Sequence, residues 1–192
     1  NVLDDSVLTA NINTITSLYV NNDSIADLTG IEDFTALTDL ECGNNQLTTL
    51  DVSNNTALTD LDCMENQLTS LDASGAAALT YLLCGWNNLD TLDVSNNTAL
   101  TTLACLNNQL TSLDLSQNTA LTQLYCHNNQ LTSLDVSQNT ALTKLWGNNN
   151  QLTSIDLRNG NNTNMSEFYT YNNSSLQCID VDDPTWSTAN WT

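Results

Sequence analysis

Five cysteines, Cys42, Cys63, Cys84, Cys105 and Cys126, fall at intervals of 21 residues, and Gly147 takes the next slot. A chain that returns the same residue types at so short a period is committed to stacking like units, because one such unit cannot bury its own apolar face. Around each cysteine the unit reads L-T-x-L-x-C-x-N-N-Q-L-T-S-L-D-V-S-x-N-T-A. Its two halves, as in "LTDLECGNNQ" and "LTTLDVSNNTA", share L-T-x-L-x-[C/V]-x-x-N. Both alternate apolar and polar residues with period two, as half-buried strands do. The spacing predicts two short parallel strands per coil, with no room for a helix. About eight coils at about 4.8 Å each make a solenoid roughly 40 Å long.

The consensus L-x-x-L-x-L-x-x-N-x-L of leucine-rich repeats fits each unit, with Cys in the third Leu place. The expected fold is therefore a leucine-rich repeat solenoid, mostly β, gently curved because extended chain on both sides stacks at one spacing. Residues 1–36 form an N-terminal opening coil, 37–157 the regular repeats, and 158–192 an irregular last coil and C-terminal cap. The opening coil, "ITSLYVNNDSIADLTGIEDFTAL", is a residue long, 22 from Val20 to Cys42. After Leu157 the insert "RNGNNTN" delays the next strand to "FYTYNN". Terminal coils need their apolar ends covered, and Trp186 and Trp191 are the candidates at the C-terminal end.

In these motifs the chain resembles bacterial surface leucine-rich repeat proteins with a cysteine ladder, the internalin-J type, and more closely the repeats of secreted proteins of marine Bacteroidetes. "SIADLTGIEDFTALTDL" is similar to their first coil and "CIDVDDPTWSTANW" to their last. The resemblance implies an adhesion or recognition module on the cell surface or outside the cell. It also implies a missing N-terminal flank and a downstream cysteine that pairs with Cys178. The chain opens on Asn1 without an initiator Met, which reads as a mature or excised piece of a longer polypeptide.

In register, each repeated side chain stacks on its counterpart one coil away. Asn45, Asn66, Asn87, Asn108, Asn129 and Asn150 are expected to form an amide ladder, since Asn carries donors and an acceptor for the buried turn. The five cysteines are read as a reduced ladder filling the core: parallel Cβ vectors do not suit disulfides, and the spacing is unlike the paired cysteines of zinc sites. A free thiol is a small hydrophobe. Asp51, Asp72, Asp93, Asp114, Asp135 and Asp156 form a third ladder. Calcium is the ion such oxygens attract, but each coil offers one carboxylate, so hydrogen bonding within the turns is the favoured reading and no cofactor is expected. Threonines at Thr38, Thr59, Thr80, Thr101, Thr122 and Thr143 lack the double row of an ice-binding array.

Variation is confined to one half of the unit. Before the inner Leu stand Ser17, Asp39, Asp60, Tyr81, Thr102, Gln123, Lys144 and Glu167. After it stand Tyr19, Glu41, Asp62, Leu83, Ala104, Tyr125, Trp146 and Tyr169. Just past the cysteine stand Asn21, Gly43, Met64, Gly85, Leu106, His127, Asn148 and Tyr171. The outward positions of the other half stay Ser or Thr, Asp and Ser. The varied sheet, expected to be concave, therefore carries the partner site: Tyr81, Leu83, Trp86, Leu106, Tyr125, His127, Lys144, Trp146, Tyr169 and Tyr171. An acidic zone, Asp39, Glu41, Asp60, Asp62 and Glu65, lies to its N-terminal side.

A formal charge of −20, from 22 acids against two basic residues, excludes a nucleic-acid partner, because phosphate binding needs Lys and Arg. No segment has the 18 or so apolar residues of a membrane span. The expected function is a non-catalytic, monomeric recognition or adhesion module that binds a protein. The alternative is a glycan-binding module with Trp146, Tyr125 and Trp86 as sugar platforms. Catalysis is disfavoured: the sole histidine, His127, has no evident triad partner, and a pair such as Asp60 and Asp62 on an open sheet lacks the enclosure that tunes a glycosidase dyad.

Overall fold

The computed structural model describes residues 12–190. Its strands are three residues each: β1 (Ser17–Tyr19), β2 (Asp39–Glu41), β3 (Thr49–Asp51), β4 (Asp60–Asp62), β5 (Ser70–Asp72), β6 (Tyr81–Leu83), β7 (Thr102–Ala104), β8 (Gln123–Tyr125), β9 (Ser133–Asp135), β10 (Lys144–Trp146), β11 (Ser154–Asp156), β12 (Glu167–Tyr169) and β13 (Cys178–Asp180). One strand from every coil joins an unbroken parallel sheet in the order β1-β2-β4-β6-β7-β8-β10-β12. The register pairs Leu40 with Leu61, Leu82 with Leu103 and Leu124 with Leu145 across neighbouring strands. Each central leucine therefore points into the solenoid, while the residues on either side of it point out. This is the expected solenoid of about eight turns roughly 21 residues apart.

The second column is less regular than the repeat predicts. It forms a two-stranded sheet β3-β5 and a three-stranded sheet β9-β11-β13. The segments around Leu92 and Leu113 lie beside each other without strand pairing. The coil before the break seats closely on its predecessor: a Cβ at Gly75 would lie 1.8 Å from the Ser53 carbonyl oxygen.

The core is a stack of leucines with Cys42, Cys63, Cys84, Cys105 and Cys126 buried between them. All six cysteines are free thiols, and Cys178 is exposed on β13. Burial in apolar surroundings pushes the Cys42, Cys84 and Cys126 thiols up to about 12. They are therefore neutral hydrophobes at physiological pH.

Two amide ladders satisfy the turns. In the predicted one, Asn108 Oδ1 accepts from Leu89 N–H at 3.0 Å, and Asn108 Nδ2 donates to the Cys84, Cys105 and Leu106 carbonyls at 3.0, 3.1 and 3.3 Å. Asn45, Asn66, Asn87, Asn129 and Asn150 repeat the pattern, and Asn173 extends it. The second ladder, Asn55, Asn97, Asn118, Asn139 and Asn159, fell outside the sequence reading, although the recurring N-T-A motif marks most of it. Its amide nitrogens donate to carbonyls of the preceding coil, as Asn118 does to Val94 and Asn97. The side-chain oxygens of Asn55, Asn97, Asn118 and Asn139 are buried without a partner.

The aspartate ladder is also an intracoil device. Asp51, Asp72, Asp93, Asp114 and Asp135 each accept the backbone N–H of the serine two residues on at 2.9 Å, and Asp156 does the same for Arg158 at 3.0 Å. Those bonds favour the charged carboxylate and hold Asp93 and Asp114 below the usual aspartate range.

At the C-terminal end the insert closes as a 3-10 turn, Asn162–Asn164. Helix α1 (Pro184–Asn190) then follows β13. Asp183 begins it by accepting from Thr185 and Trp186 N–H at 2.9 and 3.1 Å, with proline at the first helical position. Pro184, Ser187 and Thr188 share a groove with Phe168, Ile179 and Val181, so the helix lies over the last coil as a cap does. Trp186, on this helix, is half-buried. Trp191, the other expected cover, lies outside the described residues.

Candidate functional site

The outward face of the eight-stranded sheet is divided by its lowest strand. On β7, Thr102 and Ala104 are buried, and Leu106 just beyond is only 6% exposed. The spacing predicts Leu106 in an open apolar patch; the structure covers it instead. Gly85 is the reason: a Cβ there would meet Leu106 Cγ at 3.0 Å, so the missing side chain makes the space into which Leu106 folds. The expected patch is thereby separated into a middle zone on β6 and a C-terminal zone on β8, β10 and β12.

The C-terminal zone is centred on Trp146. Tyr125 and Tyr169 meet it edge-to-face at centroid distances of 5.2 and 5.5 Å, and the His127 ring is tilted against it at 5.6 Å. Such contacts stabilise a cluster beyond its buried area. Its polar atoms are engaged from within: Trp146 Nε1 donates to Glu167 Oε2 at 2.8 Å, Tyr125 OH donates to Gln123 Oε1 at 2.7 Å, and Lys144 Nζ pairs with Glu167 Oε1 at 2.8 Å. The bond to Glu167 raises the Lys144 pKa, and the same bond, with that from Trp146, lowers Glu167. His127 is half-buried, which pushes its pKa down, and its Nδ1 is buried without a hydrogen-bond partner. Tyr125, His127, Lys144 and Trp146 thus form an interlocked cluster, with Tyr169 and Tyr171 as its exposed margin.

The middle and N-terminal zones are more open. Tyr81 is 43% exposed and Trp86 46%, with Leu83 half-buried between them. Tyr81 stands beside Asp60 in register, and Asp60 beside Asp39; Leu83 stands beside Asp62, and Asp62 beside Glu41. At the far corner Tyr19, also exposed, donates its hydroxyl to Asp39 Oδ2 at 2.7 Å, which raises its own pKa. Tyr19 lies in the same varied row as Tyr125 and Trp146, a signal by which the sequence alone could have added it to the site.

The turn after each strand of this sheet requires a left-handed residue. Asn22, Asn44, Asn107, Asn128, Asn149 and Asn172 supply it, all at positive φ, and Asn tolerates that region better than other residues with a Cβ. Asn149 and Asn172 link into an outer amide ladder with Asn128, each bond 2.7 Å. In two adjacent coils the position holds Glu65 (φ 54°) and Trp86 (φ 51°) instead.

This geometry defines a leucine-rich repeat solenoid with a thiol ladder inside and one varied parallel sheet outside. Over 51 residues, 27% of this chain, it is 51% identical to internalin J of Listeria monocytogenes, and the matched stretch is 6% of that protein. The family model described as the LVIVD repeat matches residues 42–61 and 79–107, within the regular coils. An internalin of known structure from Listeria monocytogenes is 26% identical, with 89% of this chain and 49% of that one covered and a TM-score of 0.60. A leucine-rich repeat protein of Leptospira interrogans shares the fold at 20% identity and a TM-score of 0.76, over 87% of this chain and 48% of that one. The chain thus spans about half the length of these two solved relatives. Leucine-rich repeat folds of this kind are typically protein-interaction modules. Among the described residues no helix is long and apolar enough to cross a membrane.

Proposed function

We propose that this chain is a non-catalytic recognition module that binds a protein partner through the varied sheet, on the cell surface or outside the cell, and works as a monomer. One observation carries the reading: the coils differ mainly on one face, and that face leaves Tyr19, Tyr81, Trp86, Tyr169 and Tyr171 exposed. Exposed aromatic rings gathered on one face of a monomer are the usual anchors of a contact surface. Residues 37–157 supply most of this face, and β1 and β12 extend it at either end.

Three features support a protein over a glycan and binding over catalysis. The Trp146 ring meets its neighbours edge-on and its N–H is already bonded to Glu167, so the ring is held in a cluster rather than standing free as a platform. The five core thiols are buried and neutral, which removes them as nucleophiles. The lone histidine packs on an indole with its Nδ1 enclosed.

The test is binding of the domain to panels of surface proteins and glycans, with Tyr81→Ser, Trp86→Asn, Tyr169→Ser and Tyr171→Ser combined as the variant. The expected result is capture of a protein by the wild type and its loss in a variant that still folds. Equal binding by the variant, or retention of a glycan alone, overturns the reading.

A further inference from the structure

We infer that the exposed sheet face around Tyr81, Leu83 and Trp86 docks an arginine- or lysine-bearing segment of the partner protein, its cations held between those rings and the carboxylates of the preceding coils. This rests on the recognition reading and narrows it to one half of the face and one chemistry of partner.

The starting point is Trp86. Its turn position is asparagine in most coils, and its left-handed backbone is unfavourable for a large side chain, yet the ring remains nearly half exposed. A left-handed backbone that leaves nearly half of so large a ring in solvent points to use by something outside the chain. Tyr81 is exposed on the strand just before it, and Leu83, two residues on from Tyr81, is half-buried.

What the face fits is set by its neighbours one coil away: Asp60 beside Tyr81, Asp62 beside Leu83, and Glu65 in the equivalent turn beside Trp86. Among the described residues no cation is paired with them. The chain's two basic residues are both engaged elsewhere, Lys144 with Glu167 and Arg158 with Asp156. Tyr81, Leu83, Asp60 and Asp62 line one shallow depression with Asp39 and Glu41. A guanidinium or ammonium group there meets a ring face within about 6 Å and a carboxylate at once. Aliphatic stems of the same residues would cover Leu83.

The probe is a short peptide alternating arginine with leucine, with matched peptides carrying glutamine or glutamate in place of arginine, titrated by calorimetry at two salt concentrations. Two variants test the face: Asp60→Asn with Asp62→Asn, and Trp86→Asn alone. Asparagine keeps an acceptor for the Thr59 hydroxyl and the Met64 N–H that these aspartates bind, and at Trp86 it restores the residue other coils use, so both should fold. The control is Asp114→Asn with Asp135→Asn, which removes the same charge from the other side.

We expect the arginine peptide alone to bind, more weakly at high salt. Either face variant should weaken it about tenfold, and the control less than about twofold. Equal weakening by face and control variants, which is attraction to net charge, overturns the assignment, as does no binding. If the chain instead captures a partner that Tyr169→Ser with Tyr171→Ser abolishes, the varied sheet remains the recognition surface and this docking site is wrong.

Discussion

Replacing Asn108 with alanine should cost far more stability than making the same change at Asn118, although both asparagines are buried rungs of a ladder. Asn108 makes four hydrogen bonds, but its loss does not orphan four groups. The Cys84 carbonyl keeps the Asn87 amide, the Cys105 carbonyl keeps Asn129, and the Leu106 carbonyl keeps the Trp86 N–H. Leu89 N–H is different: its bond to Asn108 Oδ1 has no substitute. A buried donor left unpaired costs about 1–3 kcal/mol, and three donated bonds at about 0.5 kcal/mol each bring the total to about 2.5–4.5 kcal/mol. Asn118 donates two bonds, and its oxygen is already unpaired, so truncation also removes a buried polar atom that was unfavourable. About 1 kcal/mol is the expected loss there. The chain contains this second change already: Ala76 occupies the equivalent place in its own coil, whereas the first ladder has asparagine in every regular coil. Urea unfolding of the two variants, with the denaturant slope compared to confirm a common transition, measures the difference. Equal losses, or a loss below about 1.5 kcal/mol for Asn108→Ala, refute the accounting.

Burial of the thiols and the turn at Glu65 give two further expected outcomes. The unfolded chain releases its thiol protons near the ordinary value of 9.0, whereas burial keeps Cys42, Cys84 and Cys126 protonated up to about 12. In that window the native state holds more protons than the unfolded one, so stability falls as pH rises, on the order of 1.4 kcal/mol per pH unit for each such thiol, with no contribution well below pH 9. Urea midpoints should drop steeply from pH 8.5 to 10.5, and less so in Cys84→Ala; a flat profile contradicts the burial. Glu65→Asn should stabilise by about 1 kcal/mol, since asparagine suits the left-handed turn and the exposed glutamate has little packing to lose. A lower melting temperature for that variant would show that its side chain supports the fold.

The repeat by itself determined the solenoid, the strand in every coil that builds the varied sheet, the leucine and cysteine core, and the inner asparagine ladder. Each of those depends on a residue meeting its own copy 21 positions away, a relation fully present in the one-dimensional spacing. Tertiary structure decided what depends on how neighbouring coils settle against each other. Leu106 is hydrophobic and in an outward row, yet Gly85 beneath it lets it fold inward, and no pattern within its own coil reports that. The second column, continuous by spacing alone, pairs as strands only in β3-β5 and β9-β11-β13. Trp146 and Tyr81 read alike as exposed rings. Only packing separates the first, ringed by Tyr125, His127 and Tyr169, from the second, which stands between Asp60 and Thr102 and stays exposed. Period fixes which residues are adjacent, and the size and backbone freedom of those neighbours then set which side chains reach solvent.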